Sequence, residues 1–171
     1  LVAFSLGTDT AGSGRVPAGL NNIVGLKPTV GAISGRGVVP ACRTLDCVSI
    51  FATTVADAEL VFQQASGFDE ADGYSRARPE HVMTSLPAKP RFGIPAQPEF
   101  YGDAQSADAY AQALARIKES GAECVPLDFS LFDQVTALLY DGPWVAERYA
   151  AIETFAKEHA DAIHPVVRDI I

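Results

Sequence analysis

Gly7-Thr8-Asp9-Thr10-Ala11-Gly12-Ser13-Gly14-Arg15-Val16-Pro17 is the stretch on which the reading of the chain turns. The run before it, Val2-Ala3-Phe4-Ser5-Leu6, is apolar and reads as a buried strand. The order is strand, turn of small residues, serine. Small residues let the backbone approach a ligand closely, and they expose successive N–H groups that together form an anion-binding concavity. Ser13 at the mouth of such a turn is a candidate nucleophile toward a carbonyl carbon. The N–H groups of Thr10, Ala11, Gly12 and Ser13 are then the candidate donors to the oxyanion. The same glycines are also open to a plainer reading, a tight turn or a phosphate loop. The phosphate loop is the weaker of these. The chain has no G-x-x-x-x-G-K-[ST], and no G-x-G-x-x-G with an acidic residue about 20 positions on.

The bulk of the chain narrows the classes. Its 171 residues are enough for one ordinary domain, and 48% apolar content is enough for a core. The net charge is −8, from 13 basic and 21 acidic residues. That balance disfavours a nucleic-acid partner and an anionic membrane surface, because phosphate contacts need clustered Lys and Arg. A small anionic substrate stays open, since one local arginine can hold it. No run approaches the roughly 18–20 apolar residues of a membrane span, and no signal peptide is visible. The 3 cysteines, Cys42, Cys47 and Cys124, lack zinc-type spacing. They read as buried free thiols of a cytoplasmic protein rather than as a disulfide or metal site, and no metal or cofactor is expected.

Along the chain, residues 23–26 and 36–40 read as short strands or extended segments among glycines. Thr54 opens a helix with Asp57 in a capping-box-like position, and Val55, Ala58, Leu60, Val61 and Phe62 give it an apolar face up to Gly67. Residues 68–90, rich in charge and proline, read as a surface connection between a segment 1–67 and a segment 91–171. Arg91–Pro95 reads as a strand. Asp103 caps a helix to about Ser120, ended by Gly121, and Cys124–Leu127 is a second strand with Pro126 marking an edge or a strand end. This β-helix-β order suggests a crossover onto a sheet. Ser130 is expected to cap the next helix to about Tyr140, and Gly142-Pro143 breaks it before one more helix to about His159.

The block around Ser13 resembles the core of the amidase signature family, serine hydrolases that cleave amide bonds. Asn22-Ile23-Val24-Gly25-Leu26-Lys27-Pro28-Thr29, Thr44-Leu45-Asp46 and Thr54-Val55-Ala56-Asp57-Ala58 follow in the family's order, so the likeness is dense over residues 2–58. Within the family the chain is most similar to the allophanate-hydrolase branch. That likeness lies in Gly14 and Val16 around Arg15, in Val38-Val39-Pro40-Ala41-Cys42-Arg43-Thr44-Leu45-Asp46-Cys47-Val48-Ser49-Ile50-Phe51-Ala52, and in Tyr140-Asp141-Gly142-Pro143-Trp144-Val145-Ala146-Glu147-Arg148-Tyr149.

The resemblance implies an α/β fold, a mixed β-sheet flanked by helices in the amidase-signature αβα manner. This chain would be an internal part of it, lacking the N-terminal portion. It also implies chemistry of the Ser-Ser-Lys type, with Ser13 as nucleophile and a lysine and second serine upstream. Neither helper is present here, so the chain is expected to be a piece of a longer enzyme and inactive alone. Lys27 is not at the family's catalytic position and is expected to be structural. Asp9 and Arg15 resemble the residues that hold the serine turn, which differs little from a plain ion pair. Tyr140 and Arg148 correspond to residues that contact the substrate carboxylate. Their alternatives are a core aromatic and a surface pair with Glu147 or Asp141. His81, His159 and His164 belong to no motif, and Ser49 is expected to be a core hydroxyl with its hydrogen bond satisfied.

The implied function is hydrolysis of a small anionic amide, allophanate, to ammonia and carbon dioxide in urea degradation, by an enzyme that is a homodimer at full length. Other readings are a broad amidase, the glutaminase subunit of an amidotransferase, or a catalytically dead scaffold half.

Overall fold

The computed structural model describes residues 2–77, 85 and 87–171, and His81 lies outside them. The chain divides into two units, residues 1–80 with 139–171 and residues 81–138. In the first, β1 (Phe4–Thr8) leads through the serine turn into the short helix α1 (Arg15–Leu20), then β2 (Val24–Leu26), β3 (Val48–Ala52) and α2 (Val55–Ala65). The strands form an antiparallel sheet in the order β1-β3-β2. The register sets Phe4 and Val24 opposite Ala52, and Leu6 and Leu26 opposite Ile50.

Because side chains alternate along a strand, this register sorts the sheet into two unlike faces. Ile50 and Ala52 are buried on one, with Val24 and Leu26 beside them. They form the core with Ala58, Val61 and Phe62 of α2, and Ile33 packs against it. The other face carries Gly7, Gly25, Ser49 and Phe51, and α1 lies against it. A methyl group at Gly25 would stand 2.6 Å from Ala18 Cβ and 2.9 Å from the Gly14 carbonyl. Only a residue without Cβ lets the helix come that close.

Thr54 caps α2 as its sequence suggests, accepting the Asp57 N–H at 3.1 Å. The helix stops at Ala65 without needing Gly67. Of the two forms expected at 36–40, a short strand or an extended segment, the strand does not occur. Val38 N–H closes a turn onto the Gly35 carbonyl at 3.0 Å, Gly37 has φ +85, and Pro40 has no N–H to offer a ladder. The described start of the 68–90 stretch is more than a surface connection. The Ser34 hydroxyl donates to Asp69 at 2.7 Å, Gly35 N–H to Asp72 at 2.8 Å, and Arg76 N–H to the Gly31 carbonyl at 2.8 Å.

The second unit holds β4 (Arg91–Pro95), α3 (Ala104–Glu119) and β5 (Glu123–Leu127). The strands pair in parallel, with Arg91 opposite Glu123, so the helix between them is a crossover. Asp103 caps α3 by accepting the N–H groups of Gln105 and Ser106, and Gly121 with φ +85 ends it. α4 (Ser130–Asp141) starts here. Its cap differs from the expected one: Asp128, not Ser130, supplies the oxygen, accepting the Ser130 N–H at 2.9 Å. In the first unit follow α5 (Pro143–Glu158), with Pro143 in its first turn, and α6 (Pro165–Arg168). Antiparallel and parallel pairing both occur and helices lie against both sheets, which is the mixed α/β class expected.

Ile50 is fully buried at the centre of the core, whereas Val55 is 72% exposed at the start of α2. Ile50→Ala should therefore cost about 2–5 kcal/mol of unfolding free energy, and Val55→Ala should stay within about 0.5 kcal/mol. Urea unfolding of the two variants checks the contrast.

Candidate active site

The turn between β1 and α1 is organised from inside by one carboxylate. Asp9 is fully buried. Its Oδ1 accepts the Gly12 N–H at 2.7 Å, and its Oδ2 accepts the N–H groups of Gly14 and Arg15, both at 3.1 Å. The Arg15 side chain closes over it, with Nε 3.0 Å from Oδ2 and Nη2 3.1 Å from Oδ1. Burial alone pushes the Asp9 pKa up. The Arg15 guanidinium and the N–H groups of Arg15, Gly12 and Gly14 outweigh it and hold the carboxyl far below the usual range. The chain wraps this charge tightly enough that Gly12 adopts φ +142, where a side chain would be strained.

Ser13 is exposed on the wrapped turn, between two glycines whose N–H groups both point to the buried Asp9. The bond to Asp9 commits the Gly12 N–H to the carboxylate beneath. The N–H groups of Thr10, Ala11 and Ser13 have no acceptor among the described residues. The turn thus presents an exposed hydroxyl with uncommitted backbone donors around it, an arrangement suited to a developing oxyanion.

Under the turn lies Ser49. It is fully buried, and its hydroxyl has no partner among the described residues, contrary to the expectation of a satisfied core hydroxyl. A Cβ at Gly14 would come within 2.6 Å of Ser49 Oγ and 3.2 Å of Asp9 Cβ. The serine fills the space under the turn, and the absent Gly14 side chain leaves room for it.

Asp46, quoted in the sequence only as part of a motif, belongs to this site. Its Oδ1 accepts the Thr10 hydroxyl at 2.5 Å, and its Oδ2 accepts the N–H groups of Ala41 and Cys42, each at 2.9 Å. The usable signal was an Asp four residues after Cys42, a spacing that closes a loop on its own backbone. Asp46 also lies in the wall of a cavity of about 410 Å³, with Arg36, Arg43, Cys47, Asp72 and Tyr74. Lys27 donates to the Leu45 carbonyl at 3.3 Å.

Arg148 on α5 reaches the same loop. Its Nε donates to the Ala41 carbonyl at 3.1 Å, across 107 positions of sequence. It forms no ion pair with Glu147 or Asp141 among the described residues, and its two terminal nitrogens have no acceptor there. Glu147 instead accepts the Thr44 N–H and hydroxyl, both at 2.8 Å. Tyr140, at the end of α4, is 61% exposed and bonds to neither. Ser13, Asp9, Arg15, Tyr140 and Arg148 all fall in the first unit. His159 caps the end of α5 with its ring tilted against that of Phe155, and His164 precedes α6. Among the described residues no group of three or more His, Cys, Asp or Glu is placed to hold a metal ion, and no helix is long and apolar enough to cross a membrane.

A family model described as Amidase matches residues 1–170. The chain belongs to the amidase family. It is 44% identical over 174 residues to a urea amidolyase of Lachancea kluyveri, an alignment covering all of this chain and 10% of that protein. An allophanate hydrolase of Kluyveromyces lactis superposes with a TM-score of 0.92 at 44% identity, covering 99% of this chain and 28% of that one. An indoleacetamide hydrolase of Pseudomonas syringae pv. syringae is 34% identical over 128 residues, which is 75% of this chain and 26% of that protein. The amidase segment described here therefore spans a tenth of the urea amidolyase and under a third of the allophanate hydrolase.

Because the Asp9 pKa is lowered on folding, its contribution is present above the ordinary Asp pKa of about 3.9 and is lost as pH falls below it toward the folded value. Asp9→Asn turns an amide NH2 toward a buried N–H and should cost about 1–3 kcal/mol at neutral pH. The gap between the two proteins should be flat from about pH 5 to 8 and shrink below about pH 4. Unfolding curves across pH measure it, and a constant gap down to pH 2 would refute the role of the ionised carboxylate.

Proposed function

We propose that this segment carries the nucleophile and part of the substrate pocket of an amide hydrolase of the Ser-Ser-Lys type, acting on allophanate in urea degradation. The observation that carries the reading is the exposed Ser13 hydroxyl on a turn held by a buried carboxylate, with the N–H groups of Thr10, Ala11 and Ser13 uncommitted around it. Ser13 Oγ attacks the amide carbonyl, and those donors receive the charge on its oxygen. The nitrogen leaves as ammonia, and water then cleaves the acyl enzyme. A serine hydroxyl needs a base to take its proton. In this reading a lysine acting through a second serine supplies it, both from sequence beyond this chain.

Arg148 gives the reading its substrate class. Its Nε is held by the Ala41 carbonyl while its terminal nitrogens stay free, so the guanidinium is oriented before a carboxylate arrives. Tyr140 adds a second donor to the same carboxylate. The likeness to a urea amidolyase and an allophanate hydrolase, both at 44% identity, supports this choice over a broad amidase or a glutaminase subunit. The same reading has the full-length enzyme as a cytoplasmic homodimer, which sedimentation of the purified enzyme and fractionation of cells check.

In the full-length enzyme, Ser13→Ala should remove several orders of magnitude of allophanate hydrolysis with an unchanged melting curve. Activity within tenfold of the unmodified enzyme would sink the assignment. Arg148→Ala should lower kcat/KM for allophanate by an amount worth roughly 2–5 kcal/mol. A neutral amide of similar size should lose only about tenfold, because it forfeits the Ala41 tie but never used the carboxylate clamp. Equal losses on both substrates would reduce Arg148 to a structural residue and the enzyme to a general amidase.

A further inference from the structure

The loop 41–46 is built around one carboxylate and is gripped from two directions. Asp46 Oδ2 gathers the N–H groups of Ala41 and Cys42 at 2.9 Å, while the N–H groups of Leu45 and Asp46 return to the Cys42 carbonyl at 3.0 and 2.7 Å. Cys42 is fully buried, which anchors the loop. Asp46 Oδ1 points out of this ring to the Thr10 hydroxyl at the start of the nucleophile turn. From α5, two consecutive residues hold the same loop at two places. Glu147 takes Thr44 through both carboxylate oxygens, and Arg148 donates to Ala41. An unbroken set of hydrogen bonds thus runs from Arg148 through Ala41 and Asp46 to Thr10.

We infer that Asp46 is a positioning residue whose carboxylate ties the α5 segment bearing Arg148 to Thr10, so that the substrate-side arginine and the oxyanion donors share one frame. The inference rests on the proposed roles of Ser13 and Arg148. A carboxylate is planar and its two oxygens cannot shift independently, so a displacement of Ala41 is passed to Thr10. Thr10 is β-branched and stiff about its first side-chain torsion. Holding its hydroxyl therefore fixes the backbone that carries the N–H groups of Thr10 and Ala11. Such donors act by being aimed before the charge develops, and small misplacements cost rate rather than binding. The Asp9 carboxylate organises the far end of the same turn, at Gly12, Gly14 and Arg15. Thr10 is the end that Asp9 does not hold, and Asp46 holds it.

The test uses the full-length enzyme with Thr10→Val, Thr10→Ser, Asp46→Asn and the Thr10→Val/Asp46→Asn double variant, each followed by kcat, KM and melting temperature. Valine keeps the shape of threonine and removes only the donor to Asp46. It should lower kcat by roughly 10- to 100-fold and change KM by less than about threefold, since ground-state contacts persist while the oxyanion donors lose their aim. Thr10→Ser restores the hydroxyl and should bring kcat back to within about fivefold of the unmodified enzyme. Asp46→Asn should show the same split, and the double variant should be no slower than the slower single, because both cut one link. An unchanged kcat in Thr10→Val, a failure of serine to rescue it, or losses that multiply in the double variant overturns the inference. Should Asp46→Asn melt early, the Thr10 pair decides alone. Should the unmodified enzyme turn over another amide but not allophanate, the substrate assignment falls, and the kcat split is read on that amide instead.

Discussion

A single buried charge decides the shape of the catalytic turn. Removing Asp9 from water is unfavourable, and the structure offsets this by surrounding the carboxylate with the backbone N–H groups of Gly12, Gly14 and Arg15 and with the Arg15 guanidinium. To aim those N–H groups inward the chain must curl tightly, which explains the positive φ of Gly12. Curling inward at Gly12 lifts the next residue outward, and that residue is Ser13. The exposure of the serine and the burial of the aspartate follow from one arrangement of the backbone.

The sheet serves two purposes on its two faces. On the α2 side, Ile50, Ala52 and Ala58 meet apolar neighbours, and burial stabilises the unit there. On the α1 side, small residues replace large ones so that the turn and α1 can press against the strands. Ser49 marks the cost of that choice. Its side chain fills the space under Gly14, and its hydroxyl is buried without a partner among the described residues. An unpaired hydroxyl of this kind costs on the order of 1–3 kcal/mol. It is tolerated beside the nucleophile turn and not in the core on the opposite face.

The parts of this architecture that were legible in the sequence are those fixed by contacts between near neighbours. The Asp9–Arg15 pair, the Thr54 cap, the Asp103 cap, the Gly121 stop and the Pro143 start each depend on residues a few positions apart. What the sequence hid depends on distant partners. Residues 36–40 carry extended-looking composition, yet among the described residues no strand pairs with them, and Gly37 turns the chain. Asp128 displaced Ser130 as cap because a carboxylate two residues earlier takes both the N–H and the hydroxyl of Ser130. The link from α5 to residues 41–46 spans more than a hundred positions and leaves no periodic trace. Only the types of its members, a Glu and an Arg in adjacent positions, hinted that they reach for something.

The acid-rich composition, with 21 Asp and Glu against 13 Lys and Arg, acquires a local meaning once the hydrogen bonds are known. The Ser34 hydroxyl on Asp69, the Ser106 hydroxyl on Asp103, and the backbone N–H groups that Asp69, Asp72, Asp103 and Asp128 accept at turns or helix starts hold the pKa values of these four below the ordinary range. Burial pushes Glu147 up, but the Thr44 N–H and hydroxyl outweigh it and leave it lowered. With Asp9 and Asp46, these carboxylates act as fasteners for irregular backbone, each saturated by its own donors. Of these acids only Asp9 is fully buried, and what an incoming anion meets is set by the charged groups near it, since exposed charges farther off than about 10 Å are screened by salt. A protein of charge −8 can therefore present Arg148 to a carboxylate. What matters at the pocket is which acids lie near the guanidinium without donors of their own, and the two nearest along the chain to the Ala41 tie, Asp46 and Glu147, are both occupied.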